Sequence, residues 1–84
     1  MRGRELVGKN IKRLRVSQGV SQEQLAFDAA IDRSYLGGIE RSDENPSLDT
    51  LDKIAAVLRV ELAEFFKPVG AATPGLRPGR KKSA

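Results

Sequence analysis

The 84-residue chain contains no cysteine and no histidine. The first absence excludes disulfide staples, thiolate metal sites and thiol chemistry. The second removes the usual general base near neutral pH and the commonest metal ligand. Long apolar runs are missing as well. Nothing approaches the roughly 20 residues that span a bilayer, and the start, with Arg2 and Arg4, holds no apolar stretch of the signal-peptide kind. The expected setting is therefore cytoplasmic, with no membrane partner. Catalysis is a poor reading, because the hydroxyls and acids have no His or Cys partner and there is no phosphate-cradling glycine loop. Asp43, Glu44, Asp49 and Asp52 lack the spacing of a calcium loop and read as a solvated cluster, so no metal and no cofactor are expected. At this length the chain makes one domain at most, with no room for a sizeable small-molecule pocket.

What is present is a folded composition, 39% hydrophobic and 31% charged, with an uneven charge pattern. Residues 1–20 carry six basic side chains against Glu5, residues 21–66 carry ten acids against four bases, and residues 67–84 carry five bases and no acid. Two basic ends around an acidic middle offer a polyanion a local basic face.

The middle reads as helices. Val7, Ile11 and Leu14 form one stripe on a helix of about residues 8–17, which Gly19 stops. Ser21 opens a second helix as N-cap, with Gln24 completing a capping box and Val20 and Leu25 as a hydrophobic staple. Asp32 repeats the grammar at once, with Ile31 and Leu36 as the staple, and this third helix runs through Ile39 and Glu40. A fourth starts near Pro46 and Ser47, with Leu48, Leu51, Ile54, Ala55 and Leu58 on its apolar face. Leu62, Phe65 and Phe66 fit a short fifth helix. The expected organisation is a flexible basic N-terminus at 1–5, an all-α domain at 6–66 and a flexible basic Pro/Gly-rich tail at 67–84. Two short helices joined by so short a turn suit a pair in which one crosses a phosphate backbone and the next enters the major groove.

Ile11-Lys-Arg-Leu-Arg, Ser21-Gln-Glu-Gln-Leu-Ala, Arg33-Ser-Tyr-Leu, Ile39-Glu40-Arg41 and Asn45-Pro46-Ser47-Leu48 together closely resemble the Cro/phage-repressor type of helix-turn-helix regulator, also called the xenobiotic-response-element family. The resemblance covers about residues 7–66. It implies a compact five-helix, lambda-repressor-like domain with the helix-turn-helix at helices 2 and 3, binding double-stranded DNA, commonly as a homodimer. The implied base contacts are Arg33, Ser34 and Gly38. An arginine reaches guanine O6 and N7 with two donors, and a serine hydroxyl is less selective. The implied backbone contacts are Gln22, Arg13, Arg41, Asn45 and Ser47, with Gln22 at a helix start whose free N–H groups favour an anion. Arg15 and Glu40 match a structural ion pair.

Two features depart from the family pattern. Gly37 and Gly38 stand where larger polar side chains are usual, which fits either a close approach of helix backbone to DNA or a weakly ordered helix. Ala30 stands where the turn usually has Gly, strained if its φ is positive and unstrained if the turn is built otherwise. Leu58, Val60, Leu62, Phe65 and Phe66 exceed what a short last helix buries alone and suggest a two-fold dimer interface. The tail suits a flexible arm on the minor groove or flanking phosphates. These features describe an autoregulatory repressor or a restriction-modification controller. Exposed acids such as Glu23 and Asp28 could serve a contact to RNA polymerase. The rival reading is a small adaptor or antitoxin that mainly binds a protein.

Overall fold

Three polar side chains start the inner helices. Ser21 Oγ accepts the Gln24 N–H at 3.0 Å, Asp32 Oδ2 accepts that of Tyr35 at 3.2 Å, and Ser47 Oγ accepts that of Thr50 at 3.1 Å. Each satisfies a donor that the helix itself leaves free. In the computed structural model, which describes residues 2–69, these caps open α2 (Gln22–Ala29), α3 (Arg33–Glu40) and α4 (Leu48–Leu58). The reciprocal half of the capping box expected at Gln24 is not formed, because its amide donates to Asp28 Oδ1 at 2.9 Å instead.

The first helix, α1, spans Gly3–Ser17 and starts five residues before the apolar stripe suggests. Residues 3–5, expected to be flexible, are its first turn. The Glu5 carboxylate accepts the Arg2 N–H at 3.0 Å and so closes the end from inside the helix.

All four helices end in one geometry. The first or second residue past each helix has a positive φ: Gly19 at 71°, Ala30 at 58°, Ser42 at 70° and Arg59 at 58°. The next N–H then reaches back to a carbonyl five residues earlier: Val20 to Arg15, Ile31 to Ala26, Asp43 to Gly38 and Val60 to Ala55. This pairing satisfies the orphan carbonyls of a helix end and normally calls for glycine. Here only the first of the four positions has it, and Ala30 takes the strained alternative.

The expected five-helix count is corrected to four α-helices and a short 3-10 turn at Leu62–Phe66. Pro68 explains the shortfall. It has no N–H to donate and disfavours helical backbone at Lys67, which lies extended at φ −75° and ψ 148°. Asn10 completes the arrest. Wholly buried, it donates to the carbonyls of Phe65 at 3.0 Å and Lys67 at 2.9 Å, groups that a continuing helix would use itself.

The core is one cluster of Val7, Ile11, Leu14, Leu25, Leu36, Ile39, Leu51, Ile54, Leu58 and Phe65, with Ala26, Ala29 and Ala55 between them. The fold packs α1 against α3 and the 3-10 turn, and α2 against α3 and α4. Among the described residues no helix is long and apolar enough to cross a membrane. Residues 70–84, most of the expected tail, lie outside the described residues.

Candidate nucleic-acid interface

The end of α3 holds a buried charge cluster. Arg15, from α1, donates from Nε to Glu40 Oε2 at 2.7 Å and from Nη2 to Glu40 Oε1 at 3.0 Å, while its Nη1 holds the Val20 carbonyl at 2.8 Å. The two side chains are 12% and 2% exposed. Such a pair fixes geometry more than it adds net stability, and here it clamps α1 to the end of α3. Gln22 joins it from the first position of α2, donating from Nε2 to Glu40 Oε1 at 2.9 Å. The other end of that amide, Oε1, lies 3.4 Å from Arg33 Nη1, a long and weak hydrogen bond.

One chain of contacts thus runs from α1 through the end of α3 and the start of α2 to the exposed start of α3. Arg33 and Ser34 are both exposed there. The same face carries the free N–H groups at the start of α2, a site suited to a phosphate.

The other backbone candidates divide. Arg41 reaches back over α3, with Nη1 3.1 Å from where a Cβ on Gly37 would stand, and its Nε bonds Asp43 Oδ2 at 3.1 Å. Arg13 does not join this group. Its Nη2 donates to Asn10 Oδ1 at 2.9 Å, on the side of α1 that holds the chain's 3-10 turn. The Ser47 hydroxyl is engaged as the α4 cap and with Thr50 Oγ1 at 3.1 Å. Asn45 lines a shallow groove of about 200 Å³ with Gly3, Arg4, Pro46, Leu48 and Phe66. Gly38, expected at a base edge, is buried, because the Glu44 side chain lies across it.

The residues of the expected dimer face differ in exposure. Leu58 and Phe65 are 1% and 0% exposed inside the protomer's own core, and Val60 and Leu62 are packed against it. Of the five, only Phe66 is open, at 45%, beside Leu48 at 64%. Sequence reasoning missed Asn10, whose polar side chain adjoining the Val7–Ile11–Leu14 stripe was the available signal. It also missed Gly8, where a Cβ would collide with the Ile39 carbonyl oxygen and stand 3.2 Å from that of Glu40. The covering of Gly38 by Glu44 had no signal in the sequence.

Comparison with known proteins agrees with this geometry. A helix-turn-helix family model matches residues 11–65. The uncharacterised HTH-type transcriptional regulator y4dJ of Sinorhizobium fredii is 35% identical over 74 residues, covering 88% of this chain and 96% of that protein. The restriction-modification controller protein C.AhdI from Aeromonas hydrophila superposes with a TM-score of 0.73 at 43% identity, over 75% of this chain and 96% of that one. The biofilm regulator SinR, solved in complex with DNA, gives a TM-score of 0.70 at 39% identity, over 73% of this chain and 98% of that one. Members of this family are DNA-binding transcription factors and not enzymes. With the matched residues spanning α2, α3 and the ion pair beneath them, the chain belongs to the helix-turn-helix family of Cro and phage-repressor type.

Proposed function

We propose that the protein is a sequence-specific, double-stranded DNA-binding transcriptional regulator that acts as a dimer on an inverted-repeat operator. The observation that carries this reading is the Gln22–Arg33 contact above the Arg15–Glu40 pair. It presents the start of α2 and the start of α3 together, on one exposed face. In the proposed mode the α2 start takes a phosphate through its free N–H groups, which fixes register. Arg33 then leaves its weak bond to Gln22 and donates twice to a guanine, with Ser34 beside it, while Arg41 contributes charge from the loop. SinR, solved in complex with DNA, supports DNA as the ligand in this reading.

The dimer in this reading is built on Phe66 and Leu48, whose exposed faces border one groove, and it sets two α3 helices about 34 Å apart. If the regulator activates, the polymerase contact falls on the exposed face of α2, where Phe27 is 80% exposed beside Glu23 and Asp28. A DNA target implies a cytoplasmic location. Selection from a random duplex library at about 150 mM salt, where the nonspecific polyanion contribution is weakened, tests the reading. The expected result is an enriched inverted repeat whose preference Arg33→Ala loses. Binding that only fades with salt, with nothing enriched, refutes it and favours the adaptor reading.

A further inference from the structure

Gly37 and Gly38 follow Arg33 and Ser34 by four residues each, so they continue the face those side chains begin. The stripe that starts with two polar side chains therefore continues as bare backbone. It is nevertheless covered, since both glycines are buried. The cover comes from the loop after α3. Arg41 lies over Gly37, and Glu44 lies over Gly38, with Cγ 2.6 Å and Oε2 3.3 Å from where a Cβ would stand. The turn at Ser42 brings this loop back, with the Asp43 N–H bonded to the Gly38 carbonyl at 2.8 Å. Glu44 is exposed, and among the described residues its carboxylate has no ion-pair partner.

We propose that Glu44, laid across Gly38 by the loop after α3, is a specificity-determining residue that reads a cytosine amino group, in place of the side chain that α3 lacks at position 38. The proposal rests on α3 being the recognition helix. A carboxylate only accepts hydrogen bonds, and in the major groove the donors are cytosine N4 and adenine N6. Adenine sets its N7 acceptor beside that donor and repels a carboxylate, as do guanine N7 and O6 and thymine O4. Cytosine is what remains. The same negative charge opposes the phosphates of every duplex, so Glu44 discriminates largely by weakening wrong complexes.

The test is library selection with the full chain, Glu44→Ala, Glu44→Gln and Gly38→Ala, followed by affinities on single duplexes. The unmodified protein is expected to require one C·G pair of fixed polarity in each half-site, with a loss of about tenfold to a hundredfold when it is changed. Glu44→Ala loses that preference and keeps the others. Glu44→Gln moves it toward adenine, whose N6 and N7 suit an amide. Gly38→Ala reproduces the loss with the carboxylate still present, because the added methyl occupies the place of Glu44 Cγ. Its thermal midpoint should be no lower than that of the unmodified protein, since alanine favours helix. If Glu44→Ala tightens every duplex by one factor and leaves the enriched sequence unchanged, or if Gly38→Ala keeps the preference, the proposal fails while the regulator reading stands. If the unmodified protein enriches nothing, both fail.

Discussion

Gly8 and Gly38 are both buried glycines inside helices, and a methyl group on either would strike another segment. The obstacles differ in kind. At Gly8 they are backbone carbonyls, those of Ile39 and Glu40, at the place where α1 crosses α3. At Gly38 the obstacle is one exposed side chain, Glu44, nearest at its Cγ. The first glycine lets two helix backbones touch. Arg15, two turns further along the same face of α1, then reaches the Glu40 carboxylate. The second clears space on the outer face of α3 for a side chain from elsewhere. One glycine belongs to the fold and the other to the proposed recognition surface.

The crossing breaks most completely at Glu40. Glu40→Ala leaves the Arg15 guanidinium enclosed without its carboxylate and removes the acceptor for Gln22. Removing one member of a buried pair costs about 3–5 kcal/mol, against a typical total of about 5–15 kcal/mol. Urea unfolding should show the midpoint falling by a large fraction of its value. A change under about 1 kcal/mol, the size seen for surface pairs, would mean that the pair is effectively solvated.

The same substitution at the two glycines gives the sharpest form of the comparison. Alanine favours helix over glycine by about 0.5–1 kcal/mol. At Gly8 overpacking against a fixed carbonyl outweighs that gain, and Gly8→Ala should lose about 1–2 kcal/mol net. At Gly38 a flexible side chain gives way, and Gly38→Ala should be neutral or stabilising. Thermal midpoints that move in the same direction for both would remove the distinction.

How much of this the sequence reveals depends on the range of the cause. Ser21, Asp32 and Ser47 are legible as helix starts because a capping side chain acts within three residues of its own position. The apolar stripes are legible because periodicity marks a buried face. Periodicity does not say what covers that face, so Leu58 and Phe65 read as an interface although they fill their own core. The start of α1 was missed because Arg2 and Glu5 precede the stripe. The fifth helix was expected although Pro68 already disfavours its continuation through Lys67. Of the proposed recognition surface, Arg33, Ser34 and Gln22 were expected from the family motifs. Glu44 was not, because only the turn at Ser42 brings it back over α3.

The ends of the helices supply the next prediction. Ser42 holds a positive φ as a non-glycine residue, in the loop that delivers Glu44, and Ala30 does the same between α2 and α3. An L-residue there is strained by about 1–2 kcal/mol, which glycine relieves at the expense of a more flexible unfolded chain. Ser42→Gly and Ala30→Gly should therefore each stabilise by about 0.5–1 kcal/mol, read as a rise in thermal midpoint. Destabilisation by either would show that the side chain contributes more than its strain.

The smallest effect is expected at the first turn of α1, one turn before Gly8. The Arg2 backbone N–H, bonded to Glu5 Oε1, holds the Glu5 carboxyl below its ordinary range, with the Arg2 charge helping. A depressed folded value means that this contribution is fully present above the unfolded value, about 4.3 for a glutamate. It is lost as pH falls through the folded value. Acidification through that lowered value should therefore release the cap. The amides of Glu5 and Leu6, which bond the Arg2 carbonyl, should lose protection from hydrogen exchange. Glu5→Ala, which removes the acceptor, should cause the same fraying at neutral pH. Protection of Ile11 and Leu14 should persist in that variant, because the crossing at Gly8 is held by the core and by Arg15 rather than by the turn before it. Coupled loss at Ile11 would show instead that the first turn and the crossing open as one unit.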